Sequence, residues 1–179
     1  LGEAAKFMLS PGTTEPLADL ASTIRRGRIH TSEQGTTAPD HPAWIEFARA
    51  MGPMMGPAAK GAAELSPLDP SRDTRVLDIS ASHGAYGIAF AQKNPRAHVV
   101  ALDWAGVLAI TEQNAAAAGI ADRFSKIIGD AFTVELGSGY DAVQVPNFLQ
   151  PFNIAACPRS LRPIPASLPA APPATLSVF

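Results

Sequence analysis

Cysteine is nearly missing from this sequence: among 179 residues only Cys157 carries a thiol. One thiol excludes an internal disulfide and a thiolate metal site, and it makes cytoplasmic residence the default expectation. Charge is also scarce, at 17% of residues with a net value of −2. That leaves no basic surface for nucleic acid or an anionic membrane. No apolar run reaches bilayer length, and the N-terminus is not a basic stretch followed by an apolar one, so neither a membrane span nor a leader is expected. The four histidines, His30, His41, His83 and His98, show no metal-ligand spacing. No Gly-x-Ser-x-Gly elbow occurs, which leaves a hydrolase triad unsupported.

What remains is a globular composition, 46% apolar with a mean hydropathy of +0.08. The length suits one domain with room for a core. The chain opens on Leu1 rather than Met, as a segment from inside a longer protein would. Residues 1–74 read as helical. "TEPLADLASTIRRG" spaces Leu17, Leu20 and Ile24 for a helix that stops near Gly27. "DHPAWIEFARAMGPMMG" takes Asp40 as N-cap, sets Trp44, Phe47, Ala48 and Met51 on one face, and is expected to break or kink at Pro53 and Pro57.

From Arg75 the pattern alternates. "RVLDIS", "HVVALDW", "FSKIIGDAF" and "YDAVQVPNFL" read as strands, with helices over "YGIAFAQKN" and "VLAITEQNAAAAG" between the first three. Alternation of this kind predicts an α/β fold, a Rossmann-like doubly wound parallel sheet of about four strands, incomplete and preceded by the helical segment. The last 29 residues hold 7 of the 17 prolines and no acid. A run so rich in residues lacking an N–H cannot build a sheet core, so 153–179 is expected to be a disordered or weakly docked tail. A shifted reading frame would have the same composition.

In an open α/β sheet, ligands bind beyond the carboxyl ends of the strands. Those ends supply Asp78 with the turn Ser80, Ala81, Ser82, His83 and Gly84; Asp103 and Trp104; Asp130, Ala131 and Phe132; and Asn147. A carboxylate at 103 can accept from a ribose diol, since an ionised acid offers acceptors only. It follows Gly84 by about 20 residues, the offset of ribose-binding acids. Small residues at 80–84 let a backbone approach a ligand, at a cost if φ is positive at either serine. Asp130 can accept from an adenine amine beside a wall formed by Ala131 and Phe132. A dinucleotide needs a glycine-lined approach for its pyrophosphate, and the earlier glycines are missing. Asp78 and Asp103 instead suit a cationic cofactor with an amino-acid end, S-adenosylmethionine. An NAD-dependent oxidoreductase remains the second alternative.

Taken together, "VLDISASHGAYGIAFAQKNPRAHVVALDW", "IIGDAF", "YDAVQVPNFLQPF" and "HPAWIEFARAM" resemble the class I S-adenosylmethionine-dependent O-methyltransferases. The nearest group is the bacterial relatives of the hydroxyindole and plant phenolic enzymes, and the likeness spans roughly residues 3–155. It implies a Rossmann-like cofactor domain over 75–152 and a small hydroxylated aromatic acceptor. It implies the methionine moiety at 80–84, ribose at Asp103 beside Trp104, and adenine at Asp130, Ala131 and Phe132. Phe47 and Met51 fall on the helix that closes over cofactor and acceptor. The family forms homodimers through an N-terminal region that is mostly absent before Leu1, so 1–74 is its helical remnant. Two departures stand out. Ser82 replaces a preferred glycine. Gln150 occupies the position of the histidine that acts as general base, and glutamine has no titratable group near neutral pH. The alternative implied is a non-catalytic, truncated remnant that at most binds the cofactor.

Overall fold

The computed structural model describes residues 2–27, 38, 40–148 and, as backbone, 175–178. Three short helices come first: α1 (Gly2–Met8), α2 (Pro11–Ala18) and α3 (Leu20–Arg26). The single helix expected over 14–26 is divided at Asp19, whose carboxylate caps α3 by accepting the Ser22 N–H. Gly27 ends α3 in the left-handed conformation that favours glycine. Leu17, Leu20 and Ile24 are exposed rather than buried.

The long helix α4 spans Pro42–Leu65. Its N-cap is His41, whose Nδ1 accepts the Ala43 N–H at 3.2 Å, and not Asp40. Pro53 and Pro57 lie inside α4, so the expected break does not occur. Packing supplies what the missing donors remove: Ala48, Ala59 and Ala63 are buried. At the far end, Lys93 Nζ donates to the carbonyls of Ala63 and Glu64, a cation placed where a helix C-terminus is negative.

The α/β part follows as β1 (Thr74–Ile79), α5 (Ala85–Lys93), β2 (Ala97–Asp103), α6 (Ala105–Ala117), a 3₁₀ turn (Ala121–Arg123), β3 (Phe124–Ile128) and β4 (Ala142–Val145). The strands are parallel in the order β3-β2-β1-β4. This is the expected doubly wound sheet. Its topological switch falls between β1 and β4, and the crevice beyond the strand ends at such a switch is where sheets of this kind bind ligands. A fifth strand, β5 (Thr175–Val178), pairs parallel with β4. The segment expected to lie outside the sheet therefore contributes an edge strand at its end, where the prolines stop and Thr-Leu-Ser-Val offers free N–H donors.

Alternation along the strands sorts two buried layers. Val76, Val99 and Ala142 face the helix side, with Phe90 and Ala91 of α5 among their neighbours. Leu77, Ile79, Val100, Leu102, Val143 and Val145 form the other layer, covered by Leu136 and Tyr140 of the β3–β4 connection rather than by a helix among the described residues. Arg123 ties the helix side together by donating to the carbonyls of Ala91, Asn94 and Ala97.

Candidate cofactor site

The switch-point crevice is built from four strand ends. β1 ends in the turn 80–84, which has an unusual backbone: Ser80 and Ser82 hold φ of 57° and 54°. Each such L-residue conformation costs about 1 kcal/mol or more, which glycine would avoid. Asn147, just beyond β4, has φ of 56°. Three of the four described non-glycine residues with positive φ thus sit at this crevice, Asp40 being the fourth. Two glycines here are required. A Cβ at Gly84 (φ 76°) would come within 2.7 Å of Thr111 Cγ2. A Cβ at Gly87 would come within 2.7 Å of Val99 Cγ1 and 2.9 Å of Asp78 Oδ2.

The turn is fastened from outside. Asp103, at the end of β2, accepts the Ser82 N–H through Oδ2 at 2.9 Å and the Trp104 N–H through Oδ1 at 2.8 Å. Thr111 Oγ1 donates to the Ser82 carbonyl at 2.6 Å, and Asn114 Nδ2 to the His83 carbonyl at 2.9 Å. His83 is buried and its Nδ1 accepts the Ala85 N–H at 3.1 Å. Burial pushes its pKa down to about 4, so the ring is neutral at physiological pH.

Two acids sit beneath and beside the turn. Asp78 Oδ2 accepts the Gly87 N–H at 3.0 Å, while its Oδ1 is buried without a hydrogen-bond partner. Gln144, its register partner on β4, also has a buried Oε1 without one. Burial pushes Asp78 up to about 7, opposed by the Gly87 N–H and reinforced by the neighbouring charge of Asp103. Burial likewise raises Asp103 to about 6, against the Ser82 and Trp104 N–H groups that hold its anion, with Asp40 adding to the rise. A buried unpaired acceptor and two acids held above their usual range would both be relieved by a cation.

The third strand end lies alongside, since the Gly129 N–H donates to the Asp103 carbonyl. Asp130 Oδ1 accepts the Phe132 N–H at 2.9 Å, which folds its loop over, and Ala131 packs on the sheet layer. The Phe132 ring meets Phe148 from the β4 end at 5.7 Å. Asn147 is bonded to Tyr86 of α5 through its side chain.

Ser80, Ala81, Ser82, Gly84, Asp130, Ala131, Phe132 and Asn147 thus fall on the strand-end loops, with Asp78 and Asp103 at the ends of β1 and β2 themselves. Trp104 departs from the pattern. Its backbone is at Asp103, but its indole packs against the buried cluster of Ala48, Val107 and Ile110 from α4 and α6. Phe47 packs edge-on against Phe7 and Trp44, and Met51 is half-buried beside Gly52, where a Cβ would stand 3.4 Å from His83 Cβ. Gln150 lies outside the described residues. Sequence reasoning did not find Thr111, Asn114 or Gln144. Thr111 and Asn114 lie in the continuous polar run Thr111-Glu112-Gln113-Asn114, which does not mark out the two that face the turn.

The fold points to a class: the chain is similar to solved O-methyltransferases and shares their α/β fold. No family model matches the sequence. A solved structure from Nostoc punctiforme PCC 73102, described as an O-methyltransferase, is 44% identical with a TM-score of 0.88, over 94% of this chain and 51% of that one. The N,N-8-amino-8-demethyl-D-riboflavin dimethyltransferase of Streptomyces davawensis is 25% identical with a TM-score of 0.72, over 99% of this chain and 55% of that one. The L-tyrosine C(3)-methyltransferase of Streptomyces lavendulae is 36% identical over 76 residues, 42% of this chain and 21% of that protein. The chain spans about half the length of the solved relatives it matches.

Proposed function

We propose that the chain binds S-adenosylmethionine in the β1/β4 crevice and belongs to an enzyme that methylates a small hydroxylated aromatic acceptor. The observation carrying this reading is the Asp103 carboxylate, fastened to the turn 80–84 and flanked by the Asp130 loop. Each Asp103 oxygen holds one N–H and keeps a further lone pair for a ribose diol. Asp78 and its unpartnered oxygen favour a cationic group at the β1 end. Asp130, Ala131 and Phe132 would face adenine.

A dinucleotide is disfavoured on a specific ground. Phosphate binding at a helix N-terminus uses free first-turn N–H groups. In α5, the Ala85 N–H is taken by His83 and the Gly87 N–H by Asp78. Neither is left for a pyrophosphate.

When bound, the cofactor supplies an electrophilic methyl group on a sulfonium. The chain's contribution is to orient it, mostly through proximity and alignment toward an acceptor atom. The relatives' names include O-, N- and C-methylation. The oxygen acceptor is therefore favoured by the O-methyltransferase likeness and not by the crevice itself.

A second reading has its own support: Gln150, at the position where the resemblance implies the general base, cannot take a proton. On that reading the chain at most binds the cofactor, without turnover. Calorimetric titration with S-adenosylmethionine and its demethylated product tests binding, and transfer of a labelled methyl group to a panel of phenols tests turnover. Absence of binding by a folded chain overturns the first reading. Binding with transfer that Asp103→Ala abolishes overturns the second.

A further inference from the structure

We propose that Thr111 of α6 is a positioning residue for the cofactor turn: it holds Ser82 in its left-handed conformation and so sets where Asp103 and the turn meet the ligand. The inference rests on the cofactor reading above for its ligand, and on geometry alone for its mechanism.

Ser82 is the residue of the turn with both backbone groups tied to distant side chains. Its N–H goes to Asp103 Oδ2 at 2.9 Å and its carbonyl receives Thr111 Oγ1 at 2.6 Å. A serine with φ of 54° persists only where its surroundings over-determine it. Thr111 is fully buried, so its hydroxyl has no water to bond instead. The hydroxyl has one proton, and the competing acceptor, the Val107 carbonyl, lies farther away at 3.3 Å. Asn114, one turn along the same face, performs the parallel task on the next carbonyl, that of His83. Two adjacent peptide planes of the turn are thus oriented by α6.

Without the Thr111 hydroxyl, the part-buried Ser82 carbonyl is an acceptor without its donor. The serine then relaxes toward negative φ, and its N–H swings away from Asp103. The acid proposed to hold the ribose loses the contact that fixes its rotamer. Thr111 touches no ligand in this scheme; it acts through Ser82 and Asp103.

The test uses the 179-residue chain and four variants: Thr111→Val, Thr111→Ser, Ser82→Gly and the double variant Thr111→Val with Ser82→Gly. Valine keeps the shape and the methyl group that packs at Gly84, and removes only the donor. Calorimetry with S-adenosylhomocysteine is predicted to show affinity weakened about tenfold in Thr111→Val, the size expected for one buried hydrogen bond. Thr111→Ser should bind like the original. The double variant should recover most of the loss, because glycine adopts the left-handed conformation without being held. Amide hydrogen exchange at residues 80–84 gives a readout independent of any ligand: exchange should quicken in Thr111→Val and return in Thr111→Ser.

Unchanged affinity and unchanged exchange in Thr111→Val overturn the proposal. So does a loss that Ser82→Gly fails to rescue, which would mean that the Thr111 hydroxyl acts by a route other than the conformation of Ser82. If the original chain binds neither cofactor form, the functional reading fails, and the exchange pattern alone decides the role of Thr111.

Discussion

The carboxylate of Asp103 and the backbone of Ser82 are joined by a 2.9 Å hydrogen bond across the ends of β2 and β1. One acid therefore serves two purposes. It stabilises a turn with unfavourable dihedrals, and it retains acceptor capacity toward the crevice. Removing it should harm both.

Asp103→Ala removes the acceptor of two N–H groups, so a loss of about 1–3 kcal/mol in folding stability is expected alongside loss of cofactor binding. Asp103→Asn keeps one oxygen for the turn. It should retain most of the stability and still bind the cofactor at least tenfold more weakly. Urea unfolding together with calorimetry separates the two effects.

Cofactor affinity should depend on pH through the same residue. Asp103 is raised to about 6, and only its anion is a pure acceptor. Affinity is expected to be flat around neutrality and to fall as pH drops through about 6. A titration series in which affinity is unchanged to well below that value would remove Asp103 from the site.

Stability has opposed pH terms: Asp78, joined in the same direction by Asp103 at about 6, against His83. Asp78 stands near 7 in the folded chain against an ordinary 3.8, so the native state holds its proton more tightly. Its contribution is fully present below 3.8 and is lost as pH rises through about 7. His83 stands near 4 against 6.5; its contribution is present above 6.5 and is lost as pH falls through about 4. Each is on the order of a few kcal/mol. Asp78→Asn should flatten the alkaline loss. His83→Asn, which keeps an acceptor for the Ala85 N–H, should flatten the acid one. Denaturant midpoints measured from pH 4 to pH 8 (a window of about four units) check both.

Two glycine substitutions should behave oppositely. Gly87→Ala drives a methyl group into Val99 and Asp78 and is expected to cost about 1–3 kcal/mol. Gly61→Ala, on an exposed interior position of α4 with open space around it, should gain up to about 1 kcal/mol. Thermal unfolding of both variants decides.

Turnover has its own test in the sequence. If Gln150 stands where a general base belongs, Gln150→His should raise methyl transfer to a phenol by about 10²–10⁴-fold. Equal rates in the two chains would detach that position from the chemistry.

The sheet was legible because its strands are short apolar runs ending in Asp, Gly or Asn, and period and punctuation agree there. The crevice residues followed from topology, since a doubly wound sheet places its strand ends together. What was hidden is tertiary. Pro53 and Pro57 read as breakers, yet the buried alanines of α4 and the Lys93 cap outweigh the missing donors. The side chain of His41 outcompetes Asp40 as N-cap, a choice between neighbours that composition does not rank. Thr-Leu-Ser-Val at 175–178 gave no sign of pairing with β4, because an edge strand of four residues is specified by its neighbour. The backbone of Ser82 is held by Asp103 and Thr111, which lie more than twenty residues away in sequence.

The most direct measurement is calorimetric titration of S-adenosylhomocysteine into the folded 179-residue chain and into Asp103→Asn. Saturable one-to-one binding by the first, weakened at least tenfold in the second, is the predicted result. No heat of binding from a chain that unfolds cooperatively, or equal affinity in the two, would contradict the placement of a cofactor at the β1/β4 crevice.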